Sequence, residues 1–353
     1  MFFLAWKPAR RAILSLEISI GERIFKMKHR ILPLRRLFAA VLLALALCIQ
    51  TAAAMPERLV PCGMAAGIRL YTDGLLITAL EEQTPAQRAG LRAGDTITEI
   101  DGMRVSSVTQ AMERLSGGKS VRVSVRRGGR QAEFYLTPEK TQSGYRLGLF
   151  VRDNISGIGT ITFYDPETGV YGALGHGVNG LSGAKALAIS GGVLVPASVA
   201  GVRKGVRGTP GELQGSFDVS RTLGSVLQNE PHGIFGTLDQ APDGASVPVA
   251  DVSQIHTGAA VILANVDGTT TQEYCVRIEK LYPQAENGRN LLLTVTDERL
   301  LEKTGGIVQG MSGSPILQDG RLIGAVTYVL VNRPEEGYGI FMQSMLGQCQ
   351  AYS

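Results

Sequence analysis

Short apolar runs separated by turn residues make up most of the chain after residue 60. Runs such as AAVILANV, YCVRIEKL and LLLTVTD are rich in β-branched residues and too short for helices. The one clear helical pattern is SVTQAMERL, which places Val108, Met112 and Leu115 on a single face. The pattern of apolar and polar positions therefore predicts a mainly β protein.

The same pattern divides the chain into regions. Residues 56–138 combine strands, the helix and a hairpin in one compact unit, and residues 139–149 read as a short polar linker. Residues 150–353 carry only short strand-like runs, which suits a sandwich or a pair of barrels. Glycine supplies 44 of the 353 residues, well above the usual share of ~7%, and supports an architecture with many turns.

Residues 1–55 carry a targeting pattern. Arg35 and Arg36 precede the apolar run Leu37–Ile49, and an Ala-x-Ala site follows. We predict an export signal or an uncleaved membrane anchor, and the sequence leaves both open. Met27 is an alternative start, because the stretch ahead of the apolar run is longer than an ordinary signal needs.

Charge excludes one class of partner. The formal net charge is +4, but residues 1–36 hold nine Lys or Arg against two Glu, so the rest of the chain is close to −3. Without a basic surface in that remainder, nucleic acid is not an expected partner. Three widely spaced cysteines, Cys62, Cys275 and Cys349, suggest neither a disulfide framework nor a metal site, and no cofactor is expected.

The run TPAQRAGLRAGDTITEIDGMRV, residues 84–105, resembles the PDZ domain closely. The resemblance implies a domain that binds an extended peptide as an added strand and captures a terminal carboxylate in a glycine-bearing loop. The run Gly63-Met64-Ala65-Ala66-Gly67 precedes the strand-like GIRLYT and is the predicted peptide-binding loop.

The turn GMSGSP, residues 310–315, raises the possibility of a serine nucleophile at Ser312. A neutral hydroxyl needs a base, and His176, His232 and His256 are the imidazoles after the targeting segment. His176 stands between glycines at the end of a strand-like run, where its side chain can reach a cleft. We therefore predict His176 as the base, while Ser314 stays open as an alternative nucleophile.

A third residue is expected to orient the imidazole. Asp297 follows the apolar run NLLLTVT, so a rigid strand could deliver it to the site. Other acids between His176 and Ser312 stay open, namely Asp218, Asp239, Asp243, Asp251 and Asp267.

GMSGSP resembles the Gly-Asp-Ser-Gly-Gly-Pro turn of chymotrypsin-like serine proteases, and the order His, Asp, Ser is also theirs. That family folds as a double β-barrel, which we predict for residues 150–353. Two departures are Met311 in place of the usual Asp and the short distance from Asp297 to Ser312. Residues 324–331 and 337–341 are the predicted walls of the substrate pocket.

Longer segments, DPETGVYGALGHG, VTDERLLEKTGGIVQGMSGSPI and GYGIFM, resemble the stage IV sporulation (SpoIVB-type) serine peptidase family. The resemblance implies a catalytic His176, Asp297 and Ser312, with the N–H groups of Gly310 and Ser312 as the oxyanion hole.

The same resemblance implies a signalling protease of sporulation. Such an enzyme would be exported from, or anchored in, the forespore membrane and act between the two forespore membranes. Its substrates would be itself, near residues 50–62, and a regulator of a membrane-embedded metalloprotease that activates a late mother-cell sigma factor. The alternative is a noncatalytic PDZ adaptor at the membrane surface.

Overall fold

The computed structural model describes residues 55–142, 144–180 and 186–351. The predicted signal or anchor, residues 1–55, lies outside the described residues except for Met55. Among the helices in the described part of the chain, none is long and apolar enough to cross a membrane.

Strands dominate the described residues, as the apolar pattern predicts. In chain order the strands are β1 (Arg58–Leu80), β2 (Thr96–Ile100), β3 (Met103–Arg104), β4 (Val121–Arg127), β5 (Arg130–Leu136), β6 (Glu139–Thr141), β7 (Gly144–Arg146), β8 (Leu149–Tyr164), β9 (Val170–Ala173), β10 (Ile189–Arg203), β11 (Glu212–Phe217), β12 (Gly224–Glu230), β13 (Gly233–Leu238), β14 (Val247–Pro248), β15 (Gly258–Ala264), β16 (Gln272–Leu281), β17 (Leu291–Val295), β18 (Pro315–Gln318), β19 (Arg321–Leu330) and β20 (Arg333–Phe341). The helices are α1 (Pro85–Arg88), α2 (Val108–Leu115), α3 (Glu298–Thr304) and α4 (Met342–Leu346), with a 3-10 turn at Val252–Gln254.

Two six-stranded barrels form the larger part of the described chain. The first closes because β1 pairs with both β8 and β10, and β9, β13 and β12 complete the ring. The second runs β15-β16-β17-β20-β19-β18 and returns to β15. Buried and exposed side chains alternate along the strands of this barrel. In β16, Tyr274, Val276 and Ile278 point into the core while their neighbours face outward. The predicted double β-barrel is therefore confirmed.

Two long strands, β1 and β8, connect the first barrel to the predicted PDZ domain. The second half of β1 and the start of β8 join β2, β4 and β5, and α1 and α2 cover a core that includes Leu75, Ile97 and Val123. The first half of β1 belongs to the barrel, where Ala66–Thr72 pair with Pro196–Ile189 of β10. The predicted start of the PDZ domain at residue 56 is therefore too early.

One apolar cluster joins the two barrels. Leu59 of β1, Phe163 of β8 and Phe235 of β13 pack with Ala325 of β19 and with α4, and all are buried. Burying side chains of this size stabilises by roughly 1.5 to 3 kcal/mol each. The interface between the barrels, where the Ser312 turn lies, is thus part of the folded core.

Candidate active site

The turn that carries Ser312 connects α3 to β18 and is held by its own backbone. Met311 N donates to Val308 O at 3.1 Å, and Ser314 N donates to Met311 O at 3.0 Å. Gly310 and Gly313 have φ of 99° and 97°, a region that favours glycine. At Gly313 a side chain would also collide with the carbonyl of Thr160 and the backbone of Leu174. The glycines of GMSGSP are therefore required by the turn.

Thr160 of β8 fixes this turn from the first barrel. Its backbone N donates to Ser312 O at 3.0 Å, and its hydroxyl donates to Gly310 O at 2.8 Å. Both carbonyls are therefore hydrogen bonded to Thr160. The N–H groups of Gly310 and Ser312 have no acceptor among the described residues. Two free N–H groups beside a serine hydroxyl are what an oxyanion hole requires.

His176 reaches the turn from the end of β9. Leu174 and Gly175 have φ of 70° and 68°, and this change of direction carries the imidazole away from the strand. Its Nδ1 lies 3.0 Å from the Gly177 carbonyl, and its ring stacks on Tyr328 with centroids 5.3 Å apart. Burial lowers the pKa of His176 below its ordinary value of 6.5. The imidazole is therefore neutral near pH 7, as a general base must be.

His176 and Ser312 border the same cavity, of about 260 Å³, with Gly310 beside them. They are not hydrogen bonded to each other, because the Ser312 hydroxyl donates to Thr327 O of β19 at 2.9 Å. An unliganded enzyme often shows such a loose pair, which tightens when the substrate binds. The two barrels thus bring the predicted nucleophile and base to one place.

The structure separates Ser312 from Ser314. Ser312 is half-buried and lines the cavity, whereas Ser314 is completely buried and its hydroxyl has no partner among the described residues. A substrate carbonyl cannot reach a hydroxyl in that position. Ser314 is therefore not a candidate nucleophile.

Asp297 is not brought to His176, which corrects the predicted triad. Its carboxylate accepts hydrogen bonds from the Arg299 guanidinium, at 2.8 and 3.0 Å, and from the N–H groups of Cys275 and Arg299. These donors lower its pKa to about 2, the Arg299 side chain most strongly. Asp297 caps α3 at the end of β17, and β17 stands opposite β18 in the six-stranded ring. In this structure Asp297 is a helix cap.

His232 and His256 do not line the cavity that His176 and Ser312 share. His232 contacts the carbonyls of Ser344 and Glu286, and exposed His256 pairs with Asp319 at 2.8 Å. No group of three or more potential metal ligands occurs among the described residues.

The predicted PDZ loop is wrong. Gly63, Met64, Ala65, Ala66 and Gly67 lie inside β1, where most of them pair with β8. A side chain at Gly63 would lie 2.6 Å from Leu263 Cβ, and one at Gly67 would lie 2.6 Å from the Phe217 ring. These glycines therefore allow strands to approach β1, and no loop is present.

The predicted pocket walls are also placed elsewhere. Residues 324–330 lie in β19, Val331 lies in the turn that follows, and residues 337–341 lie in β20, but the cavity beside Ser312 is lined mostly by β1, β8 and residues after β9. Tyr328 instead lines a separate cavity of about 990 Å³ that also includes Gly177, His232 and Arg289.

Sequence reasoning missed Thr160, and it predicted Thr327 and Tyr328 only as part of a pocket wall, without their roles at the site. Thr160 holds the turn, Thr327 accepts the Ser312 hydroxyl, and Tyr328 stacks on His176. For Thr160 the signal is weak, because Thr162 in the same run GIGTITFYD is an equally buried threonine. The carbonyl of Thr327 carries no signal, because every residue has one.

Comparison with known proteins agrees with this architecture. A family model described as SpoIVB peptidase S55 matches residues 143–346, and a model of the PDZ domain matches residues 76–127. PDZ domain-containing protein 7 of Pongo abelii is 39% identical over 70 residues, which are 19% of this chain and 7% of that protein. The chain spans a quarter or less of the length of the curated relatives that it matches.

Two solved structures are also similar. The PDZ domain of the SdrC-like protein from Listeria monocytogenes has 24% identity and a TM-score of 0.21, over 23% of this chain and 90% of that one. The active form of the Rv3671c protease from M. tuberculosis has 14% identity and a TM-score of 0.34, over 56% and 73%. Because the S55 match covers more than half of the 353 residues, the chain belongs to the SpoIVB peptidase S55 family, and a PDZ domain model matches it as well.

Proposed function

We propose that the protein is an endopeptidase in which Ser312 is the nucleophile and His176 the general base. The observation that carries this proposal is the cavity that both side chains border, beside the N–H groups of Gly310 and Ser312, which no described residue accepts. A substrate carbonyl placed there would have a nucleophile, a base and two donors within reach.

The reaction would begin with a rotation of the Ser312 hydroxyl from Thr327 O towards the Nε2 atom of His176. His176 takes the proton as Ser312 Oγ bonds to the scissile carbon, and the developing oxyanion is bound by the two free N–H groups. His176 then returns the proton to the departing amine, and water releases the acyl group by the same steps. The loss of one oxyanion donor typically costs about 3 kcal/mol of transition-state stabilisation.

The Gly177 carbonyl would replace the orienting acid. With Nδ1–H donating to that carbonyl, the lone pair is left on Nε2, which is the tautomer that a base needs. Stacking on Tyr328 holds the ring plane. The site would therefore work as a Ser–His pair with a backbone acceptor, and Asp297 would contribute only to stability.

The biological role follows from the family and is part of this proposal. Membership of the SpoIVB peptidase S55 family supports a signalling protease of sporulation that cleaves itself and a regulator of a membrane-embedded metalloprotease. The site of action would be the space between the forespore membranes, reached through residues 1–55 as a signal or anchor.

The PDZ domain would bind a peptide beside the start of β8. From Leu149 to Arg152 this strand pairs with β1 along one edge, and its other edge is unpaired among the described residues. Gly148, with φ of 75°, makes the turn before the strand, and α2 lies close by. Phe150 and Met112 are each about half exposed, at 55% and 50%. An added strand and an apolar side chain could bind there.

Mass spectrometry of the full chain expressed with Ser312 or with Ser312→Ala tests the proposed function. We expect processing near residues 50–62, at a position ahead of β1, in the wild type and in Ser314→Ala, and none in Ser312→Ala. Processing that persists in Ser312→Ala, together with an intact downstream step in sporulating cells, would favour the noncatalytic adaptor.

A further inference from the structure

The cavity beside Ser312 is walled mainly by apolar side chains from the first barrel. Ser312, Gly310 and His176 form its catalytic side, and among the described residues that line it none carries a formal charge at pH 7, with His176 neutral. Its apolar walls are Ile68, Leu70, Ile155, Ile158, Leu174 and Val178. At about 260 Å³ it has room for one large apolar side chain.

The position of the cavity indicates which side of the scissile bond it serves. The acyl carbon bonds to Ser312 of the second barrel, whereas the departing amine receives its proton from His176 of the first barrel. Tyr328 of β19 covers one face of the imidazole and does not line this cavity. The cavity therefore lies on the first-barrel side, where the leaving group departs.

A second groove gives the leaving segment a path. A cavity of about 540 Å³ shares Gly157, Ile158, Gln309 and Gly310 with the first, and continues along β11 past Gln214. A peptide whose side chain fills the apolar cavity can thus continue into a more polar groove without leaving the surface.

We propose that the apolar cavity is the subsite for the residue immediately after the scissile bond, and that it selects Leu, Ile, Met or Phe there. This inference rests on the proposed function of Ser312 and His176. A charged residue would lose its hydration in this cavity, where Ser156 and Gln309 are polar but no described lining residue supplies an opposite charge, and is rejected. One methylene more or less in such a pocket changes kcat/KM by roughly tenfold to two-hundredfold.

Gly157 allows the cavity to be filled without disturbing the fold. A Cβ added there meets no atom of the described residues within 4 Å, and the residue does not have positive φ. Gly157→Leu therefore places a side chain at the mouth of both cavities. Gly201→Leu is the matched control, because Gly201 of β10 also has open space and lines neither cavity.

The test incubates the full chain with a peptide mixture from a bacterial lysate whose amino termini are blocked. Each new amino terminus identifies the residue after a cut. We expect Leu, Ile, Met and Phe there at least tenfold more often than charged residues, relative to the mixture. In Gly157→Leu this preference falls at least fivefold and shifts towards Ala and Gly, whereas Gly201→Leu keeps the wild-type profile. Ser312-dependent cleavage without the preference, or an unchanged profile in Gly157→Leu, overturns the inference.

A binding measurement separates this inference from the proposed function. Two fluorescent peptides that differ only in an amino-terminal Leu or Asp are titrated into Ser312→Ala. We expect at least tenfold tighter binding of the Leu peptide, and loss of that difference in Ser312→Ala/Gly157→Leu. Equal affinities for the two peptides refute the subsite even if cleavage occurs. Absence of Ser312-dependent cleavage refutes the proposed function and leaves the binding result to decide the subsite.

Discussion

At the scale of single residues, Thr160 shows how the first barrel controls chemistry on the second. Its hydroxyl and N–H bind the carbonyls of Gly310 and Ser312, which sets the direction of the peptide groups around the predicted oxyanion hole. Thr160 touches no substrate in this account, so it is a positioning residue. Its contribution depends on one hydroxyl. Valine has nearly the same size as threonine and lacks that hydroxyl.

Thr160→Val is expected to lower kcat at least tenfold and to change KM little, because the oxyanion donors matter most in the transition state. Steady-state kinetics on a peptide substrate measures both constants. Thr160→Ser keeps the hydroxyl and should restore most of kcat. A merely structural role would instead lower the active fraction of enzyme and leave kcat per active site unchanged in Thr160→Val.

The pKa of His176 predicts the acid limb of the pH profile. Burial favours the neutral ring, so its pKa lies below 6.5, and activity is lost as pH falls through that lower value. Below pH 6.5 the imidazole of the unfolded chain becomes protonated, whereas burial disfavours the protonated ring in the folded protein. The free energy of unfolding therefore also decreases as pH falls below 6.5. We expect a kcat/KM midpoint below 6.5 that stays in place in His256→Gln. A midpoint above 6.5 contradicts the burial of the base.

Ser314 offers a residue-scale test of stability. Its buried hydroxyl has no partner among the described residues, and an unsatisfied buried polar group costs about 1 to 3 kcal/mol. Ser314→Ala should therefore be as stable as the wild type or more stable, with full activity, in urea unfolding and peptide assays. A large loss of stability would reveal a partner for this hydroxyl.

At the scale of elements, α3 depends on Asp297. The carboxylate caps the helix through Arg299 N and is paired with the Arg299 side chain, so it stabilises the connection between β17 and the Ser312 turn. Because its folded pKa is lowered to about 2, the stabilisation is present above the ordinary value near 3.8 and is lost as pH falls towards 2.

Asp297→Ala is expected to lower the free energy of unfolding by about 1 to 2 kcal/mol, the usual cost of losing a cap. Activity per folded molecule should stay within threefold of the wild type. Asp267→Ala is the matched control, since Asp267 is largely exposed and pairs with Lys303 at 2.6 Å; it should lower the free energy of unfolding less than Asp297→Ala does. A thousandfold loss of kcat in folded Asp297→Ala would restore Asp297 to the catalytic site.

The elements also show what the sequence could predict. The sequence predicts the Ser312 turn and the His176 segment correctly, because the glycines in them are required by the local backbone conformation. Asp297 was misassigned because a strand-end position does not reveal which wall of a barrel the strand will occupy. The sequence predicts a loop at Gly63 and Gly67 wrongly, since a glycine that lets a neighbouring strand approach looks the same in sequence as one that forms a turn.

At the scale of the whole molecule, β1 and β8 connect the PDZ domain to the peptidase. β8 contributes Leu149–Arg152 to the unpaired PDZ edge, and further along it contributes Ile158 to the apolar cavity and Thr160 to the Ser312 turn. The chain order of domains did not predict this sharing, because pairing between residues about 80 positions apart cannot be read from local pattern. A peptide at the PDZ edge would lie on the strand that holds the Ser312 turn.

The register of these strands predicts that the PDZ domain can be removed cleanly. Tyr71 pairs with Asn154, so residues 72–153 can be replaced by a two-residue Asn-Gly turn, which suits an antiparallel hairpin. We expect the shortened chain to fold cooperatively and to keep Ser312-dependent cleavage, measured by calorimetry and a peptide assay. An unfolded product would show that the barrel needs the PDZ domain to close.

The most direct measurement of the central claim is labelling of the full chain with a fluorophosphonate, which reacts with serines activated by an adjacent base. Intact mass and peptide mapping should show one adduct, on Ser312, that disappears in both Ser312→Ala and His176→Gln and persists in Asp297→Ala. An adduct on Ser314, or labelling of Ser312 that is undiminished in His176→Gln, would contradict the assignment of Ser312 and His176 as the catalytic pair.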